Sequence, residues 1–273
     1  MKLFVKAWLA GIMIAVGGVI YLMMDNPIVG ACFFALGLFA ICNMHLKLYT
    51  GEAGFMVSKD GCNGWQMIGI LIGNYLGTLS IAALMSLTRV WPTLLEKANK
   101  VVIPKLNDSY VSLFALGVMC GVLMFIAVFI FRHAESPTND AIAPLIAIPV
   151  FILSGYEHCI ADMFYFNVTF IDTGCTLDAV VRIAIITLGN TVGSLVFASF
   201  FRYSINEKST SNGNLTIVKT HIGEDGQLHI DNEDDESVQE CLKQPGIGEI
   251  LDTMYKMNEE AHKDKDKNDK GSQ

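Results

Sequence analysis

Charge is scarce in this chain. Only 17% of its 273 residues are Asp, Glu, Lys or Arg, and 52% are hydrophobic. A soluble domain of this size carries a quarter charged residues and less apolar bulk. Residues 1 to 206 lack net charge altogether, with 11 acidic and 11 basic side chains. The whole surplus of −8 lies beyond them. The acidic balance argues against a nucleic acid partner and says nothing of the body's ligand. The seven cysteines include no Cys-x-x-Cys pair and no zinc-like spacing. Most sit in apolar runs, where a free thiol acts as a small hydrophobe. No metal or cofactor is expected.

What the chain has instead is long apolar runs. A bilayer core takes about 20 residues to cross as helix. Six stretches qualify: 3–24, 28–57, 66–88, 109–131, 142–170 and 176–203. The first is too long for a signal peptide, and no small-residue cleavage site precedes the second. The second and fifth are too long and are interrupted, by His45-Leu-Lys-Leu-Tyr-Thr-Gly-Glu52 and by Ser154-Gly-Tyr-Glu-His158. Backbone at membrane depth must be hydrogen-bonded, so a break survives only inside protein or beside a wet cavity.

The chain also repeats itself. Ile72-Gly-Asn-Tyr-Leu-Gly-Thr-Leu79 is echoed by Leu188-Gly-Asn-Thr-Val-Gly-Ser-Leu195. Three spans per half is an odd number, so the second half must sit inverted. Broken helices at matching places in two inverted halves point to a permeation site near the midplane. The expected fold is an all-α membrane protein, with six transmembrane helices in two inverted three-helix repeats whose second and fifth helices are broken. Residues 1–204 form the channel domain. Lys/Arg placement favours both termini in the cytoplasm: Lys2, Lys6, Lys59, Arg132, Arg202 and Lys208 inside, against Arg89, Lys97, Lys100 and Lys105 outside. The segment 92–108 reads as amphipathic, lying on the outer surface.

Residues 205–273 read as an acidic cytoplasmic tail. Ser209–Asn214 looks like a linker. Leu215–Val218 and Leu228–Ile230 flank Gly-Glu-Asp-Gly as a hairpin would. Val238–Met257 has helical spacing, and Lys263–Gln273 has a disordered composition.

His158 is the sharpest single residue. An ionisable group at membrane depth is costly and marks function by default. The bland alternative is a structural histidine satisfied by neighbours. Thr50, in the other broken helix, pairs with it in the functional reading. Glu157 either faces the pore or hydrogen-bonds amides freed by the break, and the second reading is favoured because a bare carboxylate repels an anion. Asn74 and Asn190 are expected to bond the opened backbones, with their glycines allowing close helix packing.

These residues resemble a known family. Gly155-Tyr-Glu-His-Cys-Ile-Ala-Asp-Met163 resembles the Gly-Phe-Glu-His-Ser-Val-Ala-Asn-Met signature of formate/nitrite transporters. Leu48-Tyr-Thr-Gly51 is similar to that family's Leu-Phe-Thr-Gly loop, and Gly189-Asn-x-x-Gly193 and the opening from Lys2 to Gly18 match as well. The resemblance implies an aquaporin-like fold in a homopentamer, with one pore per protomer. It implies passage of a small monovalent anion or its acid: formate, nitrite, hydrosulfide, sometimes lactate or acetate. By position, Phe34 and Phe151 resemble the outer constriction. Leu38 and Leu48, with neighbouring Tyr49, resemble the inner one. His158 and Thr50 resemble the central pair, and Lys105 and Lys2 the outer and inner vestibule lysines. Departures are Asp162 for Asn, Tyr49 for Phe, Gly121 for Asn, and Lys47 for a frequent acidic residue. Lys47 either attracts anions or pairs with Glu52 or Asp162.

The favoured mechanism is proton-coupled passage through His158 as a neutral species, the alternative being a cationic ring offsetting the anion's charge. A neutral-solute channel of aquaporin type shares the broken-helix plan but needs no mouth lysines. An enzyme built on His158 and Cys159 is disfavoured, since adjacent helical residues point apart. A receptor acting through its tail would be separated by truncation and flux. The sequons at Asn107 and Asn167 are common by chance.

Overall fold

The computed structural model describes the backbone of residues 1–58, 61–133, 137–211, 220–222 and 228–230, with side chains apart from those of 137–142 and from 205 onward. Several expectations lie outside the described residues: the strand at Leu215–Val218, the Gly-Glu-Asp-Gly turn, the helical reading of Val238–Met257, the disorder of Lys263–Gln273, and the side chains of Lys59 and Lys208. The chain divides into two units, Met1–Arg202 and Tyr203–Gln273.

The first unit is helical. Helix α1 spans Lys2–Met23, α2 Pro27–Asn43, α3 Tyr49–Ala53, α4 Gly64–Ser86 and α5 Trp91–Asn107. Then come α6 at Tyr110–His133, α7 at Pro137–Leu153, α8 at Cys159–Thr173 and α9 from Leu177 to Ser211. Four of these are long and apolar enough to cross a membrane: α1, α4, α6 and α9. The other two spans are the broken ones. At 17 residues, α2 is about 25 Å long and stops short of crossing the core. A five-residue break follows, and α3 resumes. Helix α7, also of 17 residues, breaks at Ser154–His158 before α8.

Local chemistry sets these ends. The Asn26 side chain accepts from the amides of Ile28 and Val29 at 2.9 and 3.2 Å, and Pro27 takes the first helical position of α2. Asn63 and Gln66 form a reciprocal capping box on α4. Each break turns through a left-handed residue, His45 at φ 50° in one and Gly155 at φ 69° in the other. Glycine takes that conformation without steric penalty.

The helices of each half cross tightly. A methyl group on Gly77 of α4 would run into the carbonyl oxygen of Trp8 in α1. One on Gly193 of α9 would run into that of Val118 in α6. The matched Gly-Asn-x-x-Gly segments are therefore the crossing points of the two repeats. Helix α5 is amphipathic and packs on α8 and α1, with Leu94, Ala98 and Val102 buried.

In the second unit, β1 (Thr220–Ile222) pairs antiparallel with β2 (Leu228–Ile230), Thr220 opposite Ile230. The described strand opposite Leu228–Ile230 is Thr220–Ile222; the expected one, Leu215–Val218, lies outside the described residues. The five residues between these strands make a shorter loop than the expected pairing needs, and a shorter loop costs less entropy to close. In α9 the helix runs through Ser211, into the stretch expected to be linker, since continuing a helix needs no new nucleus.

Because the obstruction at these crossings is backbone, G77A and G193A should each destabilise the detergent-solubilised protein by about 1–3 kcal/mol. The check is a lowered thermal unfolding midpoint, beside a control substitution at Gly69, whose Cβ direction is open.

Candidate functional site

Each break leaves backbone groups without helical partners, and one buried Asn satisfies them. Asn74 Oδ1 accepts from the amide of Tyr49 at 2.8 Å, while its Nδ2 donates to the carbonyls of Ala7 and Lys47 at 2.7 and 2.9 Å. Asn190 Oδ1 accepts from the amide of Cys159 at 2.9 Å, and its Nδ2 donates to the carbonyls of Gly117 and Glu157 at 2.8 and 2.7 Å. The backbone repeats as well: Leu46 N–H reaches Ile41 and Tyr156 N–H reaches Phe151, both at 2.9 Å. The two breaks therefore superpose in register, Lys47 on Glu157, Leu48 on His158 and Glu52 on Asp162.

His158 caps α8. Its Nδ1 accepts from the amide of Ala161 at 3.2 Å, and its Nε2 lies 2.9 Å from Thr50 Oγ1 across the two halves. A ring nitrogen that accepts an amide carries no proton, so the neutral ring donates from Nε2 to Thr50. Both side chains are buried. Phe151 stacks on the imidazole at 5.3 Å with 15° between the planes, and Phe34 meets Phe151 edge-on at 6.4 Å.

Two cavities flank this centre. One, of about 260 Å³, is lined by Leu38, Leu48, Lys6, Lys47, Glu52 and Arg132, among others. The other, of about 540 Å³, is lined by Tyr21, Lys105, Phe151, Glu157, His158 and Asp162, among others. Helix α1 touches the first at Lys6 and the second at Tyr21, fifteen residues on, or about 22 Å along its axis. The cavities thus lie toward opposite ends of α1. Leu38 and Leu48 line the first cavity, Phe151 and His158 the second, and these four are buried together with Phe34 and Thr50. Tyr49 lines neither cavity. Its hydroxyl needs a partner in apolar surroundings and lies 2.9 Å from Thr191 Oγ1.

Charge is arranged differently from the sequence reading. Glu157 does not bond the freed amides, which Asn190 and His158 already take. Its carboxylate instead meets the Lys105 ammonium, which also lies 3.1 Å from Asp162. Burial would lower the Lys105 pKa, but Asp162 and Glu157 overcome it and hold the ammonium above its ordinary value. At the other break Lys47 pairs with Glu52 at 2.9 Å, as one of its two readings allowed, and Arg132 reaches the same carboxylate at 2.6 Å. Lys2 is exposed. Of the two lysines that open α1 it is Lys6, a turn further on, that lines the cavity, beside Lys47. Where the resemblance expects Asn, Gly121 accepts from Ser194 Oγ at 2.9 Å through its carbonyl.

Sequence reasoning missed Arg182. This side chain donates to the carbonyls of Lys105 and Asp108 at 2.9 and 2.6 Å and pairs with Asp178 at 2.7 Å, tying the end of α5 in place. An Arg one turn into an apolar span was the available signal. Glu52, another buried charge in a break, carried the same signal. Among the described residues no three His, Cys, Asp or Glu side chains converge as metal ligands would.

Two inverted repeats, paired broken helices and a buried polar centre between cavities define an integral membrane protein with the aquaporin-like channel architecture. The model of the formate/nitrite transporter family matches residues 1–204, and the chain belongs to that family. It is similar to the formate channel FocA of Haemophilus influenzae, 28% identical over 153 residues, 51% of this chain and 52% of that protein. It is also similar to the nitrite transporter NirC of Salmonella typhimurium, 26% identical over 227 residues, 75% and 83% of the two chains. The match thus spans about half the length of the first relative and most of the second. Among solved structures, a pentameric formate channel with formate bound superposes with TM-score 0.67 at 25% identity, covering 76% of this chain and 97% of that one.

Removing either asparagine leaves three backbone groups without the side-chain partner they have now. Asn74→Ala and Asn190→Ala should each cost at least about 2 kcal/mol, read as loss of thermal stability in detergent.

Proposed function

We propose that the protein is a channel for small monovalent anions or their conjugate acids, of the formate, nitrite or hydrosulfide class, working as a homopentamer with one pore per protomer. The named activities of its relatives and the match to a formate-bound pentamer support the substrate class and the assembly. The observation that carries the mechanism is the Thr50–His158 pair, buried with Leu38, Leu48, Phe34 and Phe151, which we read as the channel's apolar throat.

An isolated anion entering that throat loses its hydration at a cost of several kcal/mol or more. A neutral acid avoids most of that cost. While His158 Nδ1 accepts from Ala161, the ring holds one proton and cannot offset an anion as a cation. Proton-coupled passage therefore fits better. The ring takes a proton from water of the cavity at Nδ1, giving up the Ala161 bond, as Nε2 passes its own proton through the Thr50 hydroxyl to the permeant anion. The charge that would have crossed as an ion is cancelled before the narrowest point. Residues 1–204 do this work within the cell membrane with both termini cytoplasmic, and residues 205–273 form the acidic tail.

In proteoliposomes carrying a panel of formate, nitrite, hydrosulfide, acetate and lactate across a pH gradient, His158→Asn should reduce weak-acid flux at pH 7 by about tenfold or more. It should also flatten the dependence on pH. An unchanged rate and pH profile would refute the relay. Water permeability far above formate flux, and indifferent to this substitution, would instead mark a neutral-solute channel.

A further inference from the structure

The cavity at the first break holds more cation than its acid balances. Lys6 from α1, Lys47 from the break and Arg132 from α6 line it, and Glu52 of α3 is its only carboxylate among the described residues. Three cations against one carboxylate leave two positive charges in excess. His45 and Cys42 line it too, and neither supplies a second carboxylate. One oxygen takes two of the cations: Glu52 Oε1 accepts from Lys47 Nζ at 2.9 Å and from Arg132 Nη2 at 2.6 Å. Glu52 is buried, whereas the side chains of Lys47 and Arg132 are 28% and 34% exposed. The carboxylate thus anchors both cations and leaves them open to solutes. Lys6 has no ion-pair partner among the described residues.

Arg132 brings shape as well as charge. Its guanidinium carbon lies 4.0 Å over the centroid of the Phe55 ring, which braces the flat group. Nη2 is committed to Glu52, while Nε and Nη1 have no partner among the described residues. A guanidinium offers its N–H donors as a planar fork that matches two oxygens on one atom. Carboxylates and nitrite carry such a pair. Hydrosulfide and chloride present a single centre and gain from charge alone. The cavity holds about 260 Å³, less than a drug-sized ligand needs, and Leu38, Leu48 and Val128 give it apolar wall. That leaves room for a carboxylate with a small apolar end. The other cavity has no comparable fork: its Lys105 is shared by Glu157 and Asp162, and Arg182 is committed to Asp178 and two carbonyls.

We propose that this cavity is an anion-binding site in which Arg132 selects planar anions with two oxygens on one atom, small carboxylates and nitrite, over single-centre anions. Lys47 and Lys6 draw in any anion, and the Arg132 fork tells them apart. This rests on the channel reading above and adds to it a capture step, made before any proton moves. The choice lies in binding, so it shows in the half-saturating concentration rather than in the maximal rate.

Saturation-transfer NMR on the full chain in detergent at pH 8 reads formate binding through the C–H proton of the anion. Nitrite and acetate should displace formate, and chloride or hydrosulfide at equal concentration should do so about tenfold less well. R132K keeps the charge and removes the fork. It should weaken formate binding about tenfold and abolish the preference. K47Q should weaken all the anions alike and leave their order intact. In proteoliposomes, R132K should raise the half-saturating concentration of formate, retain its maximal flux, and leave hydrosulfide flux unchanged. The proposal is overturned if formate does not bind wild type, or if chloride displaces it as well as nitrite does. It is equally overturned if R132K keeps the wild-type order or K47Q loses it. The wild-type displacement series decides the matter if R132K does not assemble. Binding with the stated preference, but no flux of any anion through wild type, would sink the channel reading and leave the binding site standing.

Discussion

Hydrocarbon offers no hydrogen bonds, and the whole site depends on how this chain lives with that fact. An interrupted helix exposes amides and carbonyls that must find partners within the protein. Two asparagines meet the need. Each presents one acceptor and two donors, and each spends all three on backbone: Asn74 on Tyr49, Ala7 and Lys47, and Asn190 on Cys159, Gly117 and Glu157. A single amide side chain thereby ties a break to the two helices beside it. The glycines near each Asn let those helices approach closely enough for the bonds to form.

The buried polar centre follows from that arrangement. Register-matched breaks bring Leu48 and His158 to equivalent positions and place Thr50, two residues past Leu48, against the imidazole. The polar pair arises because the repeats diverged in sequence while keeping their backbone. The charges around it diverged too. At one break Lys47 and Arg132 share Glu52, and at the other Glu157 and Asp162 share Lys105. An inverted backbone thus carries opposite charge balances at its two cavities. The exposed ion pairs elsewhere, such as Lys100 with Glu96, contribute little by comparison.

Much of this was legible from the chain alone. The length of an apolar run is a local property, so six spans and two interruptions can be read directly. So could the repeat around Asn74 and Asn190, because close crossing restricts those positions to a few residue types. The particulars that escaped were those of partnership. Nothing local to Glu157 tells whether its carboxylate meets an amide or an ammonium, since Lys105 is 52 residues away in sequence. Tyr49 sits beside Leu48, but a hydroxyl on α9 draws its ring away from both cavities.

Sequence by itself determined the class of object: a bilayer-spanning, duplicated, all-helical body with charge removed to a tail, and a histidine where the helix breaks. It did so because hydrophobic length, glycine placement and helix interruption are written residue by residue and hold wherever the segment ends up. Tertiary structure decided which lysine meets which carboxylate, which nitrogen of His158 holds the proton, and which lysine of α1 lines the Arg132-side cavity. Those depend on distances between segments far apart in the chain. The energy of a charge or a proton at a given atom is set by whatever the fold brings within a few ångströms of it.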